Sequence, residues 1–559
     1  MRRLMVALAG GVVLLTAACA NQPPGESLAP VPSPSATASQ SASPSAGGAL
    51  DVCWSAPAGG SGQLGFEDLT GRLGIEKALI GMRAHAVAVG DVNDDGWVDL
   101  FVGGFADRPV ADYAVRGAEG PAPDRLLLGS ATGFGIDQAF PGVQARTAGA
   151  AFADLDADGD LDLVLSRNPR DLDRGRAPSV VLRNDRGSFS EVAVLDAERG
   201  GRSVGILDLD ADGLLDIVLL EDRWSGGSSV LYRNTGGLRF TDHTAAAGLP
   251  ANLHGLGVST TDLDGDRQPD LFVAGSNRLF LNHGGRFREE PGDVFAWQIF
   301  GDEDDVAGVA VGDLDRDGRP DLVLGQHFNS TLAFKRVVPV RVYRNLGPGE
   351  GRRVRFEDVT AKVGVPGLTT KAPHVEVVDL DADGWPDILT TASTSGGARP
   401  VALRNTSKAP GELRFEAIEA PRGTPYWVTG ATIDADHDGA VDLVLAEWEP
   451  TRSTLLLRTS GQRGHWLAVE VGPAGSRGIG AVVSVYTEGH LGEPSFLLGR
   501  REVTASTGFG AGAEPIVRFG LGSETRVDLE VQAAGDGPAV QVRGLSADSW
   551  VRVGGACPG

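Results

Sequence analysis

Seven nine-residue segments of one pattern recur along this chain of 559 residues, each with a carboxylate or its amide at positions 1, 3, 5 and 9. The four positions are Asp91, Asn93, Asp95 and Asp99 in the first segment, then Asp154, Asp156, Asp158 and Asp162. They continue as Asp208, Asp210, Asp212 and Asp216, then Asp262, Asp264, Asp266 and Asp270. The last three sets are Asp313, Asp315, Asp317 and Asp321; Asp379, Asp381, Asp383 and Asp387; and Asp434, Asp436, Asp438 and Asp442. Segment starts lie roughly fifty to sixty-five residues apart, a period that belongs to propeller blades or arrays.

The spacing suits calcium. This hard cation takes six to eight oxygens, and side chains at positions 1, 3 and 5 converge on one ion when the chain curls, with Gly at position 6 for the sharp turn. An EF-hand would add a Glu at position 12 on a helix. Position 12 is instead Val102, Leu165, Leu219, Val273, Leu324, Thr390 or Leu445, inside a strand-like run, so the loops join strands and Asp at position 9 closes them. A single Asp-Gly turn would only link a hairpin. Seven crowded carboxylate sets without a cation would be costly through like-charge repulsion. Two loops depart from the pattern. Asn93 is a neutral oxygen donor, and Arg267 stands where the others have Gly, which predicts strain and a weak or empty fourth site.

Other elements recur in fixed order around each loop. A small apolar run precedes it, such as Ala86-Val-Ala-Val89, and an apolar strand follows. A third run ends in Arg-Asn or similar, as in Leu231-Tyr-Arg-Asn234, and a fourth is led by Phe, as in Phe356-Glu-Asp-Val-Thr360. Four short strands per unit describe a propeller blade. The seventh unit lacks its Phe-led run, while Phe66-Glu-Asp-Leu-Thr70 stands ahead of the first loop without a blade of its own. Pairing the two would close a seven-bladed ring and hide two sheet edges. The expected fold class is all-β: a seven-bladed propeller over 53–460, then a small β-sandwich over 461–559, where apolar residues alternate.

These residues resemble the FG-GAP/VCBS repeat family, whose best-known fold is the integrin α-subunit propeller, over about Leu64 to Arg458. His465-Trp-Leu-Ala-Val-Glu-Val, Gly478-Ile-Gly-Ala-Val-Val-Ser-Val, Arg501-Glu-Val-Thr and Val517-Arg-Phe-Gly-Leu-Gly522 resemble an ASPIC/UnbV domain. Ser506-Thr-Gly-Phe-Gly-Ala departs from that family's Gly-Tyr-Ser-Gln-like stretch. The resemblance implies adhesion or recognition and names no ligand.

Met1-Arg-Arg followed by apolar Leu4 to Ala18 reads as a secretion signal, too short to span a bilayer comfortably. Leu15-Thr-Ala-Ala-Cys19 resembles a bacterial lipobox, which makes Cys19 the expected lipidated residue at the end of a 1–19 leader. Residues 20–52, rich in Ser, Pro and Ala, are read as a flexible spacer. Cys53 and Cys557 remain, and export permits a disulfide between them.

Strand order places all seven loops on one face of the disc and the longer, irregular connections on the other, where binding residues usually reside. Trp224, Trp297, His327, Trp427 and Trp448 fall in those connections and are candidate ligand-face residues, with packing under their own loops as the competing reading. His85, His254 and His374 fall near the starts of inner strands, by the central channel. A formal charge of −24 argues against nucleic acid as partner. The chain has no Gly-x-Ser-x-Gly, no His-Glu-x-x-His and no glycine-rich phosphate loop, so it is read as a binding protein and not an enzyme. The expectation is a monomeric, exported, lipid-anchored calcium protein recognising an envelope protein or glycan. The alternatives are a propeller-based polysaccharide lyase or hydrolase, or a structural subunit of an envelope assembly.

Overall fold

The apolar runs before and after each aspartate loop are joined by a segment too short to do anything but turn back. In the computed structural model they form the first antiparallel hairpin of a blade sheet seven times, six of the sheets with four strands and the first with a fifth added at its edge. The structure describes residues 50–558 except 169–176, 197–199, 225, 293–303, 329–337, 350, 352, 369–372, 392–399, 420–426, 473–477 and 536–538. Register is fixed by the loop. The position-9 aspartate pairs with the residue just before position 1, as in Gly90↔Asp99, Leu207↔Asp216 and Ile433↔Asp442.

Blade 1 comprises Ala84–Gly90, Asp99–Gly104, Arg125–Leu128 and Gly135–Ile136. The first strands of blades 2 to 7 are Thr147–Ala153, Gly201–Leu207, Val258–Ser259, Asp304–Gly312, Val375–Val378 and Trp427–Ile433. Blades 1 to 6 are neighbours in that order, Thr432 of Trp427–Ile433 donates to Glu376 of Val375–Val378, and Trp427–Ile433 returns to Ala84–Gly90, so the ring closes around an axis. Small residues are required there. A Cβ at Gly149 would lie 2.2 Å from the Arg202 carbonyl oxygen, and one at Gly308 would lie 2.3 Å from that of Pro373. Blade 7 takes its outer strand from Gly65–Asp68, which pairs with Leu455–Ser460 through Phe66↔Thr459 and Glu67↔Arg458.

The remaining strands make a sandwich of two four-stranded sheets. One orders Leu50–Ser55, Ser549–Val553, His465–Val471 and Ile516–Gly522; the other orders Leu497–Glu502, Val482–Thr487, Arg526–Gln532 and Ala539–Ser546. Alternating Leu467, Val469, Val483, Val485, Leu529 and Val551 fill the space between them. The sequence boundaries need correcting at the N-terminal side. Leu50–Ser55 is an edge strand of the sandwich, beside Ser549–Val553, not the end of a spacer and the start of the propeller. Cys53 on that strand is disulfide-bonded to Cys557, with Cα atoms 5.2 Å apart. The bridge therefore fastens the C-terminal tail within the sandwich.

Propeller and sandwich form one compact unit. The sandwich sits on the aspartate-loop face. Gly464 N–H donates to Asp381 O (2.9 Å), Gly522 N–H to Ala382 O (2.9 Å), and Asp262 N–H to a Glu502 carboxylate oxygen (3.0 Å). Arg316 reaches Leu497 O at 3.0 Å. Among the described residues no helix is long and apolar enough to cross a membrane. Cys19 and the leader lie outside the described residues.

Candidate functional site

Each loop is built by its own aspartates before any ion is considered. The position-1 carboxylate accepts the N–H of position 6 in all seven loops: Gly96, Gly159, Gly213, Arg267, Gly318, Gly384 and Gly439, at 2.8–3.1 Å. Position 5 accepts the N–H of position 7, as in Asp95 with Trp97 at 2.9 Å and Asp383 with Trp385 at 3.0 Å. Position 9 accepts the N–H of position 2 with one oxygen, as in Asp99 with Val92 and Asp387 with Leu380, both 2.9 Å. Its other oxygen accepts an N–H from the end of the third strand or the residue after it in six loops, from Gly129 to Asp99 at 2.8 Å or Asn282 to Asp270 at 2.9 Å. Position 9 is thus a fully buried brace as well as a candidate ligand.

The fourth loop has the left-handed Arg267 that the sequence led one to expect, in an exchanged arrangement. Every loop has two residues with positive φ, at positions 4 and 6. Six loops place a non-glycine at position 4, such as Ala157 (φ 62°), and Gly at position 6, such as Gly159 (φ 98°). In the fourth the pair is exchanged: Gly265 has φ 83° and Arg267 has φ 70°. Arg267 N–H donates to Asp262 at 2.8 Å just as the glycines do, so the loop keeps its shape. The missed signal was Gly265, two residues early.

The carboxylates converge. Ligand atoms of Asp154, Asp156 and Asp158 lie within 4.8 Å of one another, as do those of Asp208, Asp210 and Asp212. Positions 1, 3 and 9 do the same in the loops of Asp262, Asp313 and Asp379. At position 3, Asp156 Oδ1, Asp381 Oδ1 and Asp436 Oδ1 are buried with no hydrogen-bond partner among the described residues. Such orphaned acceptors fit a cation that supplies no hydrogen. Burial and neighbouring carboxylates push these groups upward: Asp91 to about 6, Asp313 to about 7, Asp99 and Asp162 to about 8. A divalent ion reverses that bias by favouring the ionised form.

The Arg-Asn pair, a mere repeat marker in the sequence, has two tasks. The arginine lies over the loop carboxylates. Arg183 Nη2 is 2.9 Å from Asp158, Arg344 Nε 2.6 Å from Asp315, Arg404 Nε 2.6 Å from Asp381, and Arg458 Nη1 2.9 Å from Asp436. Arg233 does the same for Asp210 and Asp212. Loop 4 lacks this arginine and borrows Arg353, 2.7 Å from Asp264. The asparagine ties blades together. Its side-chain N–H donates to the position-2 carbonyl of the preceding loop: Asn184 to Val92 (2.7 Å), Asn234 to Leu155 (2.8 Å), Asn282 to Leu209 (2.9 Å), Asn345 to Leu263 and Asn405 to Leu314 (both 3.0 Å).

The central channel is plugged. A hairpin from the sandwich, closed by Ala513 N–H to Ala505 O (3.0 Å) and Thr507 N–H to Ala511 O (3.1 Å), enters it from the loop face. Ala511–Gly512 pair in parallel with Val87–Ala88. Gly508 exchanges two hydrogen bonds with Val309, Gly510 N–H donates to Ser203 Oγ (2.9 Å), and Phe509 N–H donates to His374 Nδ1 (3.2 Å). The Phe509 ring is buried against Leu256, Ala307 and Val428. Gly508 cannot be replaced, since its φ is +59° and a Cβ would sit 2.2 Å from the His374 ring. His85 stacks on Phe105 and touches Phe509 edge-on; burial and Arg202 push its imidazole down to about 3. His254 is half-buried.

Of the candidate ligand-face residues, Trp427 is a core residue. It is 1% exposed among Leu389, Val401, Leu443 and Leu455, because the first strand of blade 7 begins at this residue. Trp224 is 52% exposed, with the Arg223 guanidinium 5.2 Å above its ring. Trp448 is half-buried, under Arg83 at 4.9 Å and edge-on to His85 and Phe105. Trp297 and the His327 side chain lie outside the described residues.

A family model described as FG-GAP-like repeat matches residues 208–273 and 262–324, so the chain carries FG-GAP-like repeats. Cartilage acidic protein 1 of Mus musculus is 26% identical over 497 residues, covering 80% of this chain and 70% of that protein. Integrin alpha-7 of Homo sapiens is 28% identical over 242 residues, 39% of this chain and 18% of that one. Among solved structures, the rhamnogalacturonan lyase YesW aligns with a TM-score of 0.36 and 14% identity over 74% of this chain and 75% of that one, too loose a likeness to carry an argument.

Proposed function

We propose that this FG-GAP-repeat propeller is an exported, lipid-anchored recognition protein of the cell envelope, with calcium in its aspartate loops and its partner on the opposite face. One observation carries the calcium reading. Carboxylates converge in loop after loop, while position-3 oxygens remain buried without a hydrogen-bond donor. Asp or Asn at positions 1, 3 and 5 would hold the ion, with position 9 closing the set, and the ion would coordinate the Oδ1 atoms that the arginines leave without a hydrogen-bond partner. Its role is structural. The sandwich sits on the loop face and the channel is filled, which leaves the opposite face, with exposed Trp224, Arg223 and half-buried Trp448, for a partner. An exposed indole beside a guanidinium group, Trp224 with Arg223, suits a protein or glycan surface. Cys19 and the spacer behind it would hold that face away from the membrane.

The recognition half is tested on a glycan and envelope-protein array. Selective binding by the calcium-loaded protein, lost in Trp224→Ala and Arg223→Ala, is the expected result. Binding unaffected by either substitution, or turnover of a polysaccharide on the array, contradicts it.

A further inference from the structure

Beside the channel hairpin, between the first strands of blades 4 to 6 and the sandwich, lies a cavity of about 430 Å³. That volume falls within the range of small-molecule sites. Its walls are mixed: Val258, Val309 and Val377 of the propeller and Val482 and Ile516 of the sandwich give aliphatic surface, while Asp262, Asp264, Asp313, Glu376, Arg501 and Arg518 give charged surface. None of the lining residues is aromatic, so it offers no stacking surface for a planar ring. Arg319 and Arg353, whose side chains are 42% and 41% exposed, mark its mouth.

The charged groups inside divide into satisfied and unsatisfied. Arg518 is held by Glu514 at 2.6 Å, and Glu502 accepts the Asp262 N–H at 3.0 Å. Glu376, 9% exposed, is different. One oxygen accepts from Thr432 Oγ1, but Oε2 has no hydrogen-bond partner among the described residues. His374 Nε2 stands 3.7 Å from it, too far for a hydrogen bond. Because His374 Nδ1 accepts the Phe509 N–H, the neutral ring carries its proton on Nε2 and the tautomer is fixed by the hairpin. Arg501, reaching in from the sandwich strand Leu497–Glu502, gives one N–H to Val377 O at 3.1 Å. A buried acceptor without a donor is costly unless something bridges it, and the half-buried Arg501 guanidinium, with one hydrogen bond among the described residues, keeps donors for a ligand.

We propose that this cavity binds a small hydrophilic carboxylate that also carries hydroxyl or ammonium donors, the chemistry shared by sugar acids and free amino acids. The carboxylate meets Arg501, the donors meet Glu376 Oε2, and the aliphatic walls take the carbon skeleton. The site is separate from the face assigned to the partner; it borders the fourth and fifth aspartate loops through Asp262, Asp264 and Asp313, so it is tested with those loops calcium-loaded.

Isothermal titration of the full-length protein in calcium-saturated buffer tests it, with D-glucuronate and L-glutamate as separate arms and D-glucose as the uncharged control. The expected result is one bound molecule per chain for one of the two carboxylates and none for glucose. That stoichiometry distinguishes the cavity from the repeated loops. Glu376→Ala and Arg501→Met each weaken binding by about tenfold or more. Arg501→Lys, which keeps the charge and loses the planar fork, falls between them and the unmodified protein and holds the test open should a larger change unfold the chain. Failure of both carboxylates to bind at millimolar concentration, equal binding of glucose, or binding unchanged in the folded variants overturns the proposal.

Discussion

The imidazole of His437 lies flat on the indole of Trp97, ring centroids 3.9 Å apart and planes 5° from parallel. Trp54 stacks on the other side at 4.7 Å. His437 is position 4 of the seventh loop, Trp97 is position 7 of the first, and Trp54 belongs to the N-terminal strand of the sandwich. Three distant segments are thereby pinned at the seam where the last blade meets the first. The ring closes twice there, once through the Gly65–Asp68 strand and once through this aromatic stack.

Removing the central ring removes both stacking contacts. Aromatic pairs contribute roughly 0.5–1.5 kcal/mol each beyond their burial, so His437→Ala is expected to lower stability by about 2 kcal/mol. Urea unfolding of the two proteins checks this. An unchanged midpoint would mean that the seam depends on strand pairing alone.

Acid should destabilise the protein through its buried imidazoles. Burial holds His85 down to about 3 and His437 to about 4, both below the ordinary value of 6.5. On acidification the unfolded chain takes up protons first, so their contribution is complete above pH 6.5 and is lost as pH falls toward 4 and 3. His85→Gln should flatten that acid limb by an amount on the order of a few kcal/mol, read from melting curves between pH 7 and 4.

Much of this was legible in the sequence because the signals were local and repeated. Nine consecutive residues define each loop, its neighbours define the hairpin, and the stray Phe66 run announced the closing strand. What escaped notice depends on residues far apart. Ser506-Thr-Gly-Phe-Gly-Ala reads as a glycine-rich loop until its partners Ser203, Val309 and His374 are placed around it. Among the described residues, Leu50–Ser55 has no strand partner closer in sequence than Ser549–Val553. Trp427 looks like a loop aromatic only if the strand is assumed to start later. Arginine and asparagine after the third run mark a repeat in sequence; their reach to the loop beneath and the loop before it is a matter of three-dimensional stagger between blades.

The exchanged glycine of loop 4 makes a sharp prediction. Arg267 has a left-handed backbone that costs a side-chain-bearing residue about 1 kcal/mol, so Arg267→Gly should raise stability by about that amount. The bound-metal count should not change, since the loop already holds its shape. A count that rises by one would show instead that Arg267 had disabled the site.

Asn282 links the third strand of blade 4 to the loop of blade 3 through a fully buried hydrogen bond to Leu209 O. Asn282→Ala leaves that carbonyl unsatisfied, with an expected loss of about 1–3 kcal/mol. Asn282→Asp keeps the volume and removes the donor, and should cost at least as much. Melting temperatures of the three proteins decide it.

The most direct test of the calcium clips is the metal content of the purified protein, measured by elemental analysis before and after a chelator, with a melting curve at each stage. The expected result is a calcium-to-chain ratio approaching the number of aspartate loops, and a melting temperature that falls steeply on chelation and recovers when calcium alone is returned. Metal-free protein with the same melting curve in chelator and in calcium would contradict it.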